Sequence, residues 1–201
     1  ITLGALVLAG LTPSAFADDA SSQPAGLFLE PAITYQTGEM KVTYPVLNDS
    51  TEKTNGFGLG LRLGFHVWDT LFIAADGRYA KPDYQSSAMG GSATSDLTNL
   101  GATLGVQTPL AGLRVWGTYI VTGSLDPQQI GSTDVKFNNP KGYRVGAGFY
   151  VAMVSLNFEY QEVKYDSVTA EKAPIFAGAT TDSAKGNDKS YIVSVSFPIA
   201  L

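Results

Sequence analysis

From Phe57 to Val67 the chain alternates without a break. Odd positions carry Phe57, Leu59, Leu61, Leu63, Phe65 and Val67; even positions carry Gly58, Gly60, Arg62, Gly64 and His66. A β-strand turns successive side chains to opposite faces, so this pattern predicts a strand with one apolar face and one small or polar face. The same dyad recurs in seven further segments. Their apolar faces begin and end at Leu27 and Tyr35, Leu71 and Tyr79, Leu100 and Val106, Leu113 and Val121, Tyr143 and Phe149, Val154 and Tyr160, and Tyr191 and Leu201. In the fifth of these segments Arg114, Trp116, Thr118 and Thr122 are expected on the opposite face. Eight strands result, of about 9–11 residues, the length a tilted membrane strand needs.

The connections sort by length. Polar segments at 38–55, 81–96, 124–140 and 166–188 alternate with tight turns at Trp68-Asp69-Thr70, Pro109 to Gly112 and Tyr150 to Met153. Within two of the long segments, Asp126-Pro127 and Asn139-Pro140 have the composition of turn initiators. Long loops on one side and short turns on the other are the habit of outer-membrane barrels, not of a soluble Greek key. An even strand count then places both chain ends on the short-turn, periplasmic side. Tyr35, Tyr79, Tyr119, Tyr143, Tyr160 and Tyr191 fall toward the long-loop ends of their strands, with Tyr119 a few residues inside its strand. They predict an aromatic girdle, and Phe65, Trp68, Phe149 and Phe197 a second belt at the short-turn end.

Composition narrows the partners. Net charge is −5 with both signs spread along the chain, which argues against nucleic acid. Cysteine is absent, so disulfides and thiolate metal sites are excluded. Ahead of the strands, an apolar run from Leu3 to Leu11 leads through Pro13 to Ala15-Phe16-Ala17 and then Asp18-Asp19. This reads as a partial secretory signal, residues 1–17, cleaved before Asp18. The run is too short to cross a bilayer, and no cysteine follows it that would mark a lipoprotein. A short periplasmic segment, 18–26, is expected before a barrel over 27–201.

Architecture and the last strand, Tyr191 to Leu201, together resemble the small eight-stranded outer-membrane barrels of the OmpA transmembrane, OmpX and opacity-type superfamily. The likeness covers essentially all of 26–201. It implies an all-β, eight-stranded antiparallel up-and-down transmembrane β-barrel in outer-membrane lipid and lipopolysaccharide. It also implies recognition of the C-terminal strand by the barrel-assembly machinery, although Leu201 stands where the family usually ends in an aromatic residue.

The inward faces hold Glu30, Asp76 and Glu159 with Arg62, Arg78, Arg114 and Arg144. Charges in a narrow interior are costly unless paired, so a salt-bridge network is expected. Arg62, Asp76 and Glu159 should lie at mid-height, Arg114 and His66 near the periplasmic mouth, and Arg78 and Arg144 nearer the loops. Such a network either gates a narrow polar conduit or simply fills the interior; small barrels normally fill with side chains. His66 is the only histidine and lacks further metal ligands at motif spacing, so it reads as an interior residue. No cofactor, metal or enzymatic activity is expected. Pro31 and Pro198 lie in the two strands that close the ring and predict a locally weak seam. The expected role is structural or surface interaction through the four loops, with a possible extracellular ligand. The alternative is a passive small-solute channel.

Overall fold

A computed structural model describes residues 26–43, 49–68, 70–86, 90–108, 112–131, 133–151, 153–172, 180–181 and 184–201. The signal segment and residues 18–25 lie outside the described residues. The strands are β1 (Leu27–Thr43), β2 (Ser50–Val67), β3 (Leu71–Ser86), β4 (Gly91–Gln107), β5 (Leu113–Pro127), β6 (Asp134–Val151), β7 (Val154–Lys172), β8 (Thr180–Thr181), β9 (Lys185–Ser196) and β10 (Ile199–Ala200). Each of β1 to β7 pairs antiparallel with its neighbour in sequence. β9 then pairs with both β7 and β1, closing an up-and-down ring of eight staves. β10 continues the last stave against β1, and the two residues of β8 pair with β7. Among the described residues, closure of the eight staves leaves the belt without a sheet edge, which is what a β-structure needs in lipid.

The seam carries both prolines without losing register. Ala32 pairs with Ser196, and beyond Pro198 the same register resumes with Leu29 opposite Ile199. Phe197 donates its amide to the Pro31 carbonyl at 2.9 Å. Pro31 has no amide to return, so that pair makes one hydrogen bond where two would form.

Outward positions form an apolar belt. Leu59, Leu61, Leu63, Ile73, Leu104, Leu156 and Val193 are each about half exposed, an arrangement that only hydrocarbon makes favourable. At ~3.3 Å per residue and a tilt of ~40°, the run from Tyr191 to Leu201 rises about 25 Å, the height of such a belt.

The strands outrun the expected length. They span 15 to 19 residues in β1 to β7. Most of the four segments expected as long loops is therefore strand, and the connections at that end shrink to 44–49, 87–90, 128–133 and the stretch 173–184 that contains β8. The alternation persists there with its polarity reversed. Glu39 and Lys41 point out while Met40 and Val42 point in; Lys81, Asp83 and Gln85 are exposed while Tyr84 is buried. A polar outer face beyond the lipid reads as loop when only polarity is counted.

Two irregularities shift the phase. β5 carries a bulge: Gly101 pairs with Ile120 and Leu100 with Thr122, leaving Val121 as the extra residue. Thr122, expected inside, is consequently exposed, and Leu125 turns inward instead. Gly123 adopts φ 145°, and a Cβ there would overlap the Thr98 carbonyl. Facing the bulge, Asn139 takes φ 53°. Asn139-Pro140 is thus a kink within β6, and Asp126-Pro127 the end of β5, rather than turn starts.

Candidate functional site: the barrel interior

The interior is three stacked layers. At the short-turn end Phe28 (β1), Phe72 (β3) and Trp116 (β5) pack together with His66 (β2). The His66 ring lies 4.7 Å from Phe28 and 5.9 Å from Phe72, and Phe28 meets Phe72 edge-on at 5.9 Å. Inward glycines make this possible. A Cβ at Gly64, Gly105 or Gly146 would overlap the rings of Phe28, Phe72 and Trp116 respectively. The glycine alternation visible in the sequence is the space that these aromatics occupy.

All seven predicted charges gather against this plug, Arg114 from its own level, one inward step nearer the short turns than Trp116, and the rest toward the far end. Arg78 keeps 9 % of its side chain exposed, and the other six keep 5 % or less. Cross-strand register sets the first row: Glu30 stands opposite Arg62, and Arg62 opposite Asp76. Asp76 receives Arg62 Nη2 at 3.0 Å, Arg78 Nε at 3.1 Å and Arg144 Nη1 at 2.8 Å. Glu159 accepts from Arg78 Nη2 at 3.0 Å and from the Trp116 indole N–H at 2.9 Å. Glu30 accepts Arg114 Nη2 and the Ser196 hydroxyl, both at 2.6 Å. The Arg62 guanidinium also lies over the Trp116 ring, 4.9 Å from its centroid. Glu30, Asp76 and Glu159 thus each meet at least two guanidinium groups, the condition under which buried charges are tolerated. Arg114 lies beside the Phe72 and Trp116 rings and links that layer to Glu30, and Arg144 reaches Gln161, which accepts from its Nε at 3.1 Å and Nη2 at 2.8 Å. Gln161 in turn donates to Asp188 at 3.4 Å, and Ser190 donates to the same carboxylate at 2.7 Å. Several buried polar atoms have no protein partner: Arg78 Nη1, Arg114 Nε, Glu159 Oε2, Gln36 Nε2 and both amide atoms of Asn99.

The third layer is apolar. Met40, Tyr84, Leu97, Ile120, Leu125, Phe137, Val163 and Tyr165 form one buried cluster inside the strand extensions. Phe137 contacts Tyr84 and Tyr165 with ring centroids 6.3 and 5.9 Å apart. Asp188 sits at its lower border, above the tyrosine ring and so outside the apolar belt, and burial pushes its carboxyl up to about 6. Sequence reasoning missed this layer and Asp188. The available signal was the inverted alternation at 39–43 and 81–86.

The predicted girdle residues come together. Tyr119 stands opposite Tyr143 across β5 and β6, Tyr160 opposite Tyr191, and Tyr35 opposite Phe57. Tyr143 and Tyr160 rings are 6.4 Å apart, Tyr160 and Tyr191 5.5 Å. Tyr79 donates its hydroxyl to Asp96 and Tyr143 to Glu162, each reaching from the apolar belt to the polar extension. Trp68 lies at the opposite end, in the β2–β3 turn, 74 % exposed. One group of carboxylates, Asp126, Asp134 and Glu171, has oxygens within 4.8 Å of one another at the far rim, but Lys136 already neutralises Asp126 at 2.8 Å.

This closed, lipid-belted ring has known counterparts. The solid-state NMR structure of the outer membrane protein AlkL in DMPC lipid bilayers matches with TM-score 0.54 and 14% identity, covering 92% of this chain and 95% of that one. The protein has the fold of a small outer-membrane β-barrel. The crystal structure of Ail, the attachment invasion locus protein of Yersinia pestis, matches with TM-score 0.50 and 10% identity, over 87% of this chain and 99% of that one. OprG from Pseudomonas aeruginosa follows at TM-score 0.47 and 11% identity, over 91% of this chain and all of that one. No protein-family model and no curated protein sequence matches the chain.

Proposed function

We propose that this is an integral outer-membrane protein of a Gram-negative bacterium, with both termini periplasmic and no enzymatic activity. Its closed barrel serves as a rigid scaffold that presents the strand extensions and their connections for surface interaction. The observation that carries the reading is the interior packed in series by an aromatic layer, a paired charge network and an apolar layer. Three such layers in series support use as a scaffold over use in transport. Ail, an attachment protein of the same fold held in complex with the heparin analogue sucrose octasulfate, supports surface recognition as a role such a scaffold can take. The alternating C-terminal strand supports assembly by the barrel-assembly machinery. Planar-bilayer recording of the purified barrel tests the reading: no reproducible unitary current is expected, at neutral or acid pH.

A second reading rests on the orphaned lumen atoms of Arg78, Arg114, Glu159, Gln36 and Asn99. Buried polar atoms of this kind are commonly satisfied by water, and a continuous water file would make a narrow small-solute conduit. Unitary currents that change in Arg62→Ala or Glu159→Ala would establish the conduit and remove the scaffold reading.

A further inference from the structure

Among the described residues the upper layer encloses two acids, Asp188 and Glu52, and no base. The four inward arginines lie below it, and Arg144, the one linked to Asp188 through Gln161, is already held by Asp76 and Gln161. Glu52 has contacts of its own and is set apart from Asp188 by Met40, which pairs with both. Asp188 therefore differs from Glu30, Asp76 and Glu159: among the described residues no guanidinium or ammonium group meets it. Its partners are neutral. Ser190 donates at 2.7 Å and the Gln161 amide at 3.4 Å. Thr54 Oγ1 approaches from β2, but without hydrogen-bond geometry to this or any other group. A carboxyl group only 2 % exposed is stable either as the neutral acid or with a cation beside it.

The backbone gathers oxygen atoms at this point. Gly38 of β1 pairs with Ser190 of β9 on one side and with Thr54 of β2 on the other. Directly opposed residues stand about 5 Å apart, so both hydroxyls flank the glycine. A Cβ on Gly38 would overlap the Ser190 hydroxyl, so the cradle exists only because that side chain is absent. Asp188 lies two residues along β9 from Ser190, on the same inward face. Two buried hydroxyl oxygens here, Thr54 Oγ1 and Tyr165 Oη, have no hydrogen-bond partner. Burial and then the nearby Asp188 charge hold the proton on the Tyr165 phenol. A hydroxyl that gives its proton to a carboxylate keeps lone pairs for a metal ion. Gln161 offers none, because Arg144 occupies its oxygen and turns its N–H toward Asp188.

We propose that this cradle binds one small monovalent cation, sodium. The Asp188 carboxylate supplies the charge, and the oxygens of Ser190, Thr54 and Tyr165 are the neutral ligands. Hard cations take oxygen ligands of this kind. One carboxylate balances one charge, so a divalent ion would leave an uncompensated charge in a buried site. The site needs the ring closed through β9, β1 and β2. It does not depend on whether the lumen conducts or on what the outer surface binds.

The test unfolds the full barrel with urea in phosphatidylcholine vesicles at about pH 8, where a carboxylate without a cation would still be ionised. Tetramethylammonium, of the same charge but too large for a hydroxyl cradle, replaces sodium at constant ionic strength. Raising sodium from about 10 mM to about 300 mM should raise the folding equilibrium constant about tenfold, within the ~30-fold that mass action allows one site. Asp188→Asn and Thr54→Val should each cut that response to less than about twofold. Thr54→Val keeps the side-chain shape and removes only the oxygen, so it reports on the site even if Asp188→Asn does not fold. Thr37→Val, on the outer face beside the cradle, should keep the full response. No sodium response in the wild type would overturn the site and leave Asp188 without a metal. An undiminished response in Thr54→Val would place the ion elsewhere, and a response to calcium but not sodium would overturn the monovalent assignment. Heat-dependent gel migration verifies that each variant is folded.

Discussion

The same eight strands run through two environments, and their side chains change sense where the environments meet. Below the tyrosine ring Leu61 and Val193 face out while Arg62 and Asp76 are enclosed. Above it Lys53 and Lys81 face out while Tyr84, Phe137 and Tyr165 are enclosed. The lower part is a membrane barrel and the upper part is built like a water-soluble one. Backbone geometry and side-chain period are shared, so the outward polarity is set by the solvent alone: hydrocarbon below, water above. What the interior must be then follows from what each part can no longer use outside. The upper part hides its apolar groups, as any soluble domain does. In the lower part the inward charges persist because each is paired.

The contrast can be broken most severely from inside. Arg62→Ala strips Glu30 and Asp76 of a shared buried partner and should cost about 3–5 kcal/mol. Phe137→Ala, opening a cavity in the upper layer, should cost a similar ~3–5 kcal/mol by a different mechanism. Urea titrations of the protein in lipid vesicles read both; a cost under about 1 kcal/mol for either would contradict the corresponding layer. On the outside, Leu61→Arg should cost ~2–4 kcal/mol if that position lies near the bilayer midplane, while Thr37→Arg, just beyond the tyrosine ring, should shift stability by no more than about 0.5 kcal/mol. Equal costs at the two positions would mean that the solvent boundary is not at the tyrosines.

The border between the layers is sharpened by pH. Burial raises the Asp188 carboxyl to about 6. A group whose folded pKa exceeds its unfolded value stabilises the fold at low pH, and that contribution disappears as pH rises through the window from about 4 to about 6. Stability of the wild type relative to Asp188→Asn should therefore fall by roughly 3 kcal/mol between pH 4 and pH 7. Parallel pH profiles for the two proteins would show that Asp188 does not titrate there. The smallest effect is expected at the exposed Lys81–Asp96 pair, where Lys81→Ala should leave the urea midpoint essentially unchanged.

How far the chain could be read ahead of its structure differs between the two parts. In the belt, the contrast between leucine and glycine or arginine at neighbouring positions is large, and the strand faces at Phe57 to Val67 follow from it directly. In the extension, Glu39-Met40-Lys41-Val42 carries the same period with inverted sense, and its outer residues are those of a loop. Thr122 was misplaced for another reason. One extra residue at Val121 shifts the phase of everything after it, and a bulge has no hydrophobic signature of its own. Asn139-Pro140 has turn composition but is held in a strand by β7 pairing on one side, with Tyr165 opposite Pro140. The inward charges were identified as a set from parity alone. Their partners were not, because Asp76 meets Arg144 across 68 positions of sequence.

Alternation in the sequence was sufficient to establish a lipid-facing barrel of eight strands, since burial of one face is a local property of each segment. Only the closed ring decided which arginine neutralises which carboxylate, which glycines yield to Phe28, Phe72 and Trp116, and how far the strands stand above the membrane. Those outcomes depend on shear and on contacts between strands distant in sequence, and no local pattern encodes a distance across a barrel.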